Sequence, residues 1–156
     1  MTQPSVYVET SVVSYLAAFP SRDVVVLAHQ QITHAWWTRR EKYELLISQA
    51  VLTEAAAGDP DAAARRLALV SNVRILEVTD AATDLAESLI RGGVLPPGAL
   101  VDAVHVATAA VHGVDFLLTW NCKHIANALI RARFEQSCRA FGIQPPLICT
   151  PEELSE

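Results

Sequence analysis

Cysteine is scarce and unpatterned in this sequence. Its three cysteines, Cys122, Cys138 and Cys149, are scattered and form no CxxC pair. A disulfide framework needs paired cysteines, and a cysteine-rich zinc site needs closely spaced ligands, so the sequence argues against both. The pattern predicts reduced thiols and a cytoplasmic protein.

Long apolar runs are also lacking. A membrane-spanning helix needs roughly 20 consecutive apolar residues, and every candidate stretch is interrupted before that length. The interrupting residues are Asp23, His29, Asp102, His112 and Asp115. The first residues enter a strand pattern with no basic region before an apolar segment, so we expect no secretory signal. We therefore expect no membrane partner.

Charge is limited as well. Charged residues make up 19% of the 156 residues and the net charge is -5, whereas 51% of the residues are hydrophobic. This composition argues against disorder and against a general nucleic-acid coat. It leaves a nuclease open, because the carboxylates of such a site keep it acidic until metal binds. The length predicts a single domain over residues 1–156.

Strand-like and helix-like segments alternate along the whole chain. This alternation predicts an α/β fold with a parallel sheet covered by helices on both faces. The predicted strands are residues 6–8, 43–47, 73–78, 115–119 and 147–149. The predicted helices between them include residues 27–36, 48–57, 62–70, 80–91 and a long last helix from 125 to about 138. Asp59-Pro60 is predicted to start the helix over 62–70, and Asp80 is predicted to cap the helix over 80–91.

Three acids stand among apolar residues at or near predicted element ends. Glu9 follows the first strand, Glu54 lies in the helix after the second, and Asp102 lies on the first turn of an apolar helix. An unpaired buried carboxylate is costly, so each acid needs a reason. The structural alternatives are a solvated Glu9 beside a capping Ser11, an outward-facing Glu54, and a dipole contact for Asp102.

The stretch from residue 95 to residue 127 organises the chain. It begins with a Pro-Pro-Gly turn, continues as the helix that carries Asp102, and passes Gly113 into the strand at 115–119. A polar corner at 120–124 is predicted to start the last helix. In open parallel sheets, ligands bind at the carboxyl ends of the strands, which is where this corner falls.

Four stretches, taken together, resemble the PIN domain and, within it, the VapC-type ribonucleases of toxin–antitoxin pairs. They are VYVETSVVSYL, SQAVLTEAAAGDP, DAVHVATAAVHGVDFLLTWNCKHIANA and the ending PPLICTPEEL, and they span nearly the whole chain. The resemblance implies a three-layer α/β/α fold around a four- or five-stranded parallel sheet. It also implies one or two Mg²⁺ or Mn²⁺ ions in an acidic pocket, and hydrolysis of RNA phosphodiester bonds.

The resemblance assigns the site residue by residue. It places the acids at Glu9, Glu54 and Asp102 and puts Asn121 where the family usually has a fourth acid. Glu9 itself replaces the usual aspartate and is longer by one methylene. Thr10, Ser11 and Thr119 match supporting positions.

Two histidines lie near these positions. His105 follows Asp102 by one helical turn, and we interpret it as a packing or hydrogen-bonding residue. His124, near Asn121, is a candidate for contacting phosphate. Of the adjacent pair Trp36 and Trp37, which could stack on nucleic acid, we expect Trp36 to lie in the core.

Two functions stay open. The first is a metal-dependent ribonuclease, the toxin of a type II pair, with RNA as substrate, a cognate antitoxin as partner and a homodimer in isolation. The second is a catalytically weak PIN-like module that binds RNA or protein, because Asn121 lacks a charge. A small-molecule enzyme or a receiver-like domain would need a phosphate loop or an acceptor aspartate paired with lysine, and neither occurs in convincing context.

Overall fold

Five parallel strands form the central sheet of the computed structural model, which describes residues 2–155. Their order across the sheet is β3-β2-β1-β4-β5. The strands are β1 Ser5–Val8, β2 Glu44–Ser48, β3 Arg74–Leu76, β4 Phe116–Leu118 and β5 Leu147–Cys149. The α/β class and the parallel sheet predicted from the sequence are confirmed.

Seven α-helices of the described chain connect these strands. They are α1 Thr10–Ala17, α2 Val24–Trp37, α3 Gln49–Ala55, α4 Pro60–Leu69, α5 Asp80–Arg91, α6 Leu100–Val111 and α7 Ala128–Ala140. Contacts group α1 with α2, α3 and α4, and group α5 with α6 and α7, and α3 and α6 also contact each other. Right-handed crossovers put these two groups on opposite faces of a sheet with this strand order.

Strand β1 is the centre of the sheet. It pairs with β2 on one side and with β4 on the other, and Val6, Tyr7 and Val8 are buried. The chain winds outward from β1 in one direction through β2 and β3, and then in the other direction through β4 and β5. The gap between the carboxyl ends of β1 and β4 is therefore the topological switch point, where ligands bind in such sheets.

Local capping explains several helix starts. Asp23 accepts hydrogen bonds from Val25 N and Val26 N at the start of α2, and Asp59 accepts from Ala62 N at the start of α4. Both acids satisfy backbone N–H groups that a helix leaves unpaired. The predicted start of α4 at Asp59-Pro60 is confirmed.

Some predicted boundaries are wrong. Strand β3 is shorter than residues 73–78, and Thr79 rather than Asp80 caps α5. The polar corner at 120–124 does not start the last helix. Its carbonyl at Asn121 accepts from Ile125 N and Ala126 N in a turn, and α7 begins only after its cap, Asn127.

Trp36 lies in the core as predicted, 1% exposed and stacked against Tyr43 at 5.6 Å between ring centroids. Among the described residues, no helix combines the length and apolar character needed to span a bilayer.

Candidate functional site

Glu9 lies at the carboxyl end of β1, where it caps α1. Its carboxylate is buried, with the residue 4% exposed, and it accepts three hydrogen bonds. Ser11 Oγ and Thr119 Oγ1 both donate to Oε1 at 2.5 Å, and Ser11 N donates to Oε2 at 3.0 Å. The structural alternative for this position, a solvated Glu9 with Ser11 as the cap, is therefore wrong. Charge-assisted hydrogen bonds to backbone and hydroxyl groups hold the acid in place.

Glu54 approaches the same edge of the sheet from α3. Thr10 Oγ1 donates to its Oε1 at 2.6 Å, and His105 Nε2 lies 2.6 Å from the same oxygen. The Glu54 side chain is 36% exposed, so one side of the carboxylate is reached by solvent. Both of these hydrogen bonds end on Oε1, and no hydrogen bond from the described residues reaches Oε2. Glu54 therefore retains an oxygen available to a ligand.

Ligand atoms of Glu9, Glu54 and His105 lie within 4.8 Å of one another. Two carboxylates at this separation suit a hard divalent ion, which prefers oxygen ligands and keeps several waters. Both nitrogens of His105 are already engaged, Nε2 with Glu54 and Nδ1 with the Tyr7 hydroxyl at 2.7 Å. The donor set thus fits Mg²⁺ or Mn²⁺ through carboxylate oxygens better than a nitrogen-preferring ion.

The electrostatic surroundings keep Glu54 ionised. Burial alone would raise the pKa of its carboxyl group, but the hydrogen bonds from His105 and Thr10 outweigh it, and the net pKa is lowered. Burial raises the pKa of Tyr7 well above its usual range. Tyr7 therefore stays a neutral hydroxyl, while Glu54 stays a carboxylate.

Asp102 lies on the first turn of α6 as predicted, but its carboxylate is outside the Glu9–Glu54–His105 group. His124 Nδ1 lies 2.9 Å from Asp102 Oδ2, and the two side chains are 23% and 19% exposed. Asp102 precedes His105 by three residues, so the two side chains share a face of the helix with about 5–6 Å between their Cβ atoms. The pair of Asp102 and His124 flanks the group.

Asn121 is placed beside these residues by the turn after β4. Its Oδ1 accepts from His124 N at 3.0 Å, and its own backbone N–H donates to Thr119 Oγ1 at 2.9 Å. Thr119 in turn donates to Glu9. Asn121 is thus linked to the buried acid through one hydroxyl, and its amide oxygen caps the turn that carries His124.

An aromatic cluster packs against the same corner. Trp120 N donates to Ser11 Oγ at 2.8 Å, and the Trp120 ring stacks on His29 with 4.1 Å between centroids and 13° between planes. Tyr15 contacts both rings, and Trp120 Nε1 donates to buried Thr33. This cluster was not predicted from the sequence, because its members come from three separate elements.

Tyr7 is a second feature that was not predicted from the sequence. Its hydroxyl contacts Ser48 Oγ at 2.7 Å as well as His105, and all three residues are fully buried. The available signals were a tyrosine among the valines of β1 and a histidine inside an apolar helix. A fully buried phenol or imidazole needs a hydrogen-bond partner. Both residues therefore indicate that a partner exists, but the sequence does not identify which residue it is.

Several solved structures share this fold. VapC20 from Mycobacterium tuberculosis, a Sarcin-Ricin loop cleaving toxin, is 22% identical, with a TM-score of 0.59 over 77% of this chain and 92% of that chain. VapBC2 from Rickettsia felis, bound to a DNA fragment from their promoter, is 13% identical, with a TM-score of 0.58 over 93% of this chain and 97% of that chain. FitAcB from Neisseria gonorrhoeae is 15% identical, with a TM-score of 0.60 over 96% of this chain and 99% of that chain.

No curated protein matches this sequence significantly. At the identities above, the structural matches show a common fold. The sequence itself matches the PIN domain over residues 6–123, which is most of the chain and includes Glu9, Glu54, Asp102 and Asn121. The protein therefore belongs to the PIN domain family.

Proposed function

We propose that this protein is a Mg²⁺- or Mn²⁺-dependent endoribonuclease and the toxin of a type II toxin–antitoxin pair. The observation that carries the proposal is the convergence of the Glu9 and Glu54 carboxylates at the carboxyl ends of β1 and β2, beside the switch point of the sheet. Two acids held this close repel one another, and a divalent cation relieves that repulsion.

The residues have distinct roles in this proposal. Glu54 and Glu9 would hold the ion, with Asp102 as the third acid at its side. Thr119 and Ser11 fix the Glu9 carboxylate by donating to it, and Thr10 fixes Glu54. Asn121 contributes a neutral polar group at the rim. Such a bound ion would supply an activated water and stabilise negative charge on the phosphate.

His124 completes the rim. Its Nδ1 is held by Asp102, so the imidazole is fixed in position and its side chain remains partly exposed. A fixed, partly exposed imidazole is suited to contact a phosphate oxygen of RNA.

The comparisons support the toxin–antitoxin part of the proposal. One similar structure is a toxin that cleaves the Sarcin-Ricin loop, and another, VapBC2, is bound to a fragment of its promoter. We extend to this chain an RNA substrate and a cognate antitoxin protein as partners. The three free thiols are in keeping with action in the reducing cytoplasm.

Metal-dependent cleavage of RNA tests the proposal directly. The metal-stripped protein is incubated with a mixed RNA pool while Mn²⁺ or Mg²⁺ is titrated, with single-stranded DNA of the same length as a comparison. We expect cleavage only with the ion, and loss of cleavage in Glu54→Gln. Glu87→Gln, an exposed acid on α5, is the matched control. Absence of ion-dependent cleavage across the RNA panel would refute the nuclease.

The antitoxin is tested in cells. Expression of the wild type should arrest growth, and co-expression of a small protein encoded by the neighbouring gene should relieve the arrest and co-purify with the chain. Glu54→Gln should permit growth. Arrest by the variant as strongly as by the wild type would contradict a toxin that acts through this site.

The second candidate is a catalytically weak PIN-like module that binds RNA or protein. Asn121 favours this candidate, because an uncharged amide occupies the position where the family usually has its fourth acid. The amide oxygen of Asn121 also already accepts a hydrogen bond from His124 N. Such a module would bind the RNA panel without cleaving it at any ion concentration. The metal titration above therefore separates the two candidates.

A further inference from the structure

A buried chain of hydrogen bonds leads from the sheet to the Glu54 carboxylate. Ser48 Oγ lies 2.7 Å from the Tyr7 hydroxyl, Tyr7 lies 2.7 Å from His105 Nδ1, and His105 Nε2 lies 2.6 Å from Glu54 Oε1. These contacts join β2, β1, α6 and α3. They connect residues that are between 41 and 98 positions apart in the sequence.

The direction of each hydrogen bond follows from the last acceptor. An ionised carboxylate only accepts, so His105 Nε2 carries the proton that it donates to Glu54. In the neutral imidazole, Nδ1 then accepts from the Tyr7 O–H. Because the single Tyr7 proton is used in this bond, Ser48 donates to the Tyr7 oxygen. Every proton in the chain is therefore oriented toward Glu54.

The chain of hydrogen bonds is held rigidly as far as His105, the residue before Glu54. Ser48, Tyr7 and His105 are all 0% exposed, and the first two belong to adjacent strands of the sheet. The Tyr7 and His105 rings also meet edge to face, with 5.7 Å between their centroids. Glu54 is different, since its side chain is 36% exposed on a short helix. A partly exposed glutamate has several rotatable bonds, so its orientation must be imposed from outside.

The two fixed donors define which oxygen stays available. His105 Nε2 and Thr10 Oγ1 both contact Oε1. Among the described residues, no hydrogen bond reaches Oε2. Glu9 contrasts with this, because both of its oxygens accept hydrogen bonds. We propose that Tyr7 and His105 are positioning residues, which hold Glu54 in the orientation that leaves Oε2 available to the divalent ion. This inference rests on the proposed metal-dependent function.

A matched pair of substitutions at His105 isolates the Nε2 donor. The side-chain nitrogen of glutamine can take the place of Nε2 and donate to Glu54, whereas that of asparagine takes the place of Nδ1 and meets only Tyr7. We expect His105→Asn to weaken Mn²⁺ binding about tenfold or more, in the range for partners of metal ligands. His105→Gln should bind Mn²⁺ nearly as tightly as the wild type does, because the donor to Glu54 is kept. Titration calorimetry without RNA gives both affinities.

The control is a second histidine on the same helix. His112 caps the far end of α6, is exposed, and contacts the Glu77 carbonyl oxygen. His112→Asn and His112→Gln should both bind Mn²⁺ as the wild type does. Thermal unfolding of all variants without metal separates orientation from folding, since a packing role would lower the Tm of both His105 variants and leave their Mn²⁺ affinities alike.

Tyr7→Phe tests the next bond of the chain. It removes only the hydroxyl that holds Nδ1, so we expect nitrogen-15 NMR of the metal-free protein to show loss of the single Nε2–H tautomer of His105. Mn²⁺ affinity should fall severalfold in the same variant. A wild type with mixed tautomers would overturn the assigned direction of the hydrogen bonds, and with it the inference.

The outcomes also separate this inference from the proposed function. Mn²⁺ binding in the wild type with equal affinity in His105→Asn and His105→Gln would overturn the positioning role and leave the nuclease standing. No Mn²⁺ binding by the wild type would overturn both. Electron spin echo spectroscopy of bound Mn²⁺ should show no directly coordinated nitrogen from His105. Such a nitrogen, lost in His105→Asn, would make the residue a ligand and refute the inference.

Discussion

His124 holds Asp102 at the rim of the candidate site, with Nδ1 2.9 Å from Oδ2 and both side chains mostly buried. The two residues are 22 positions apart, on α6 and on the turn after β4. This contact attaches the turn that carries Asn121 to the helix that carries His105.

Asp102→Asn should abolish metal-dependent RNA cleavage. The change is nearly isosteric, so it keeps an oxygen for His124 but removes a negative charge from a site that already has an amide at Asn121. Cleavage of a mixed RNA pool with Mn²⁺ measures the effect, and Asp84→Asn, on the exposed face of α5, is the control. Full activity in Asp102→Asn would make Asp102 a structural partner of His124 only.

Asn121→Asp should tighten Mn²⁺ binding and raise cleavage. A carboxylate at this position can still accept from His124 N, and more strongly than the amide does, so the turn should be preserved. It also adds the fourth charge to the site. Calorimetric Mn²⁺ affinity is the measurement, with Asn72→Asp in a distant exposed turn as the control. Unchanged affinity would mean that residue 121 does not contact the ion.

The stability of the metal-free protein should depend on Glu54 in acid. The folded-state pKa of this carboxyl lies below its ordinary value of 4.5, so its contribution is complete above that value and is lost as the pH falls through the lowered pKa. Urea unfolding between about pH 6 and pH 3 should show a stability difference from Glu54→Gln that shrinks toward the acid end. A difference that is constant with pH would contradict the lowered pKa.

Only one of the three thiols should react readily in the folded protein. Cys122 is exposed, whereas burial raises the pKa of Cys138 and of Cys149 to about 12 and keeps both thiols protonated. The thiolate is the reactive form. Iodoacetamide at about pH 8 should therefore label one site before unfolding and three after it, as counted by intact mass. Rapid labelling of Cys138 would contradict its burial.

The protein should form a homodimer in isolation. This expectation rests on the family resemblance and on the large apolar side chains left at the surface, among which Val24 and Leu129 are each 79% exposed. Exposed apolar surface favours association. Light scattering at micromolar concentration gives the mass. A monomer mass would contradict the prediction.

The order of elements was determined by the sequence itself. Alternating apolar segments predicted a parallel sheet with flanking helices, and the structure has five parallel strands in that scheme. Capping residues such as Asp59, followed by Pro60, located a helix start because capping is a local interaction. The acids could be located for the same reason, since Glu9 directly follows β1 and Asp102 lies on the first turn of α6.

The residues that partner each acid were decided only by the tertiary structure. His105 contacts Glu54 from 51 positions away, and Thr119 contacts Glu9 from 110 positions away. No local rule specifies such pairs, because they depend on how α6 packs against α3 and on which strand adjoins β1. The corner at 120–124 also could not be predicted from local sequence. The pattern predicted the start of a helix there, but the structure has a turn whose residues form hydrogen bonds to Thr119, Ser11 and Asp102. Long-range packing decides where a polar side chain finds its partner, and local pattern decides only which element carries it.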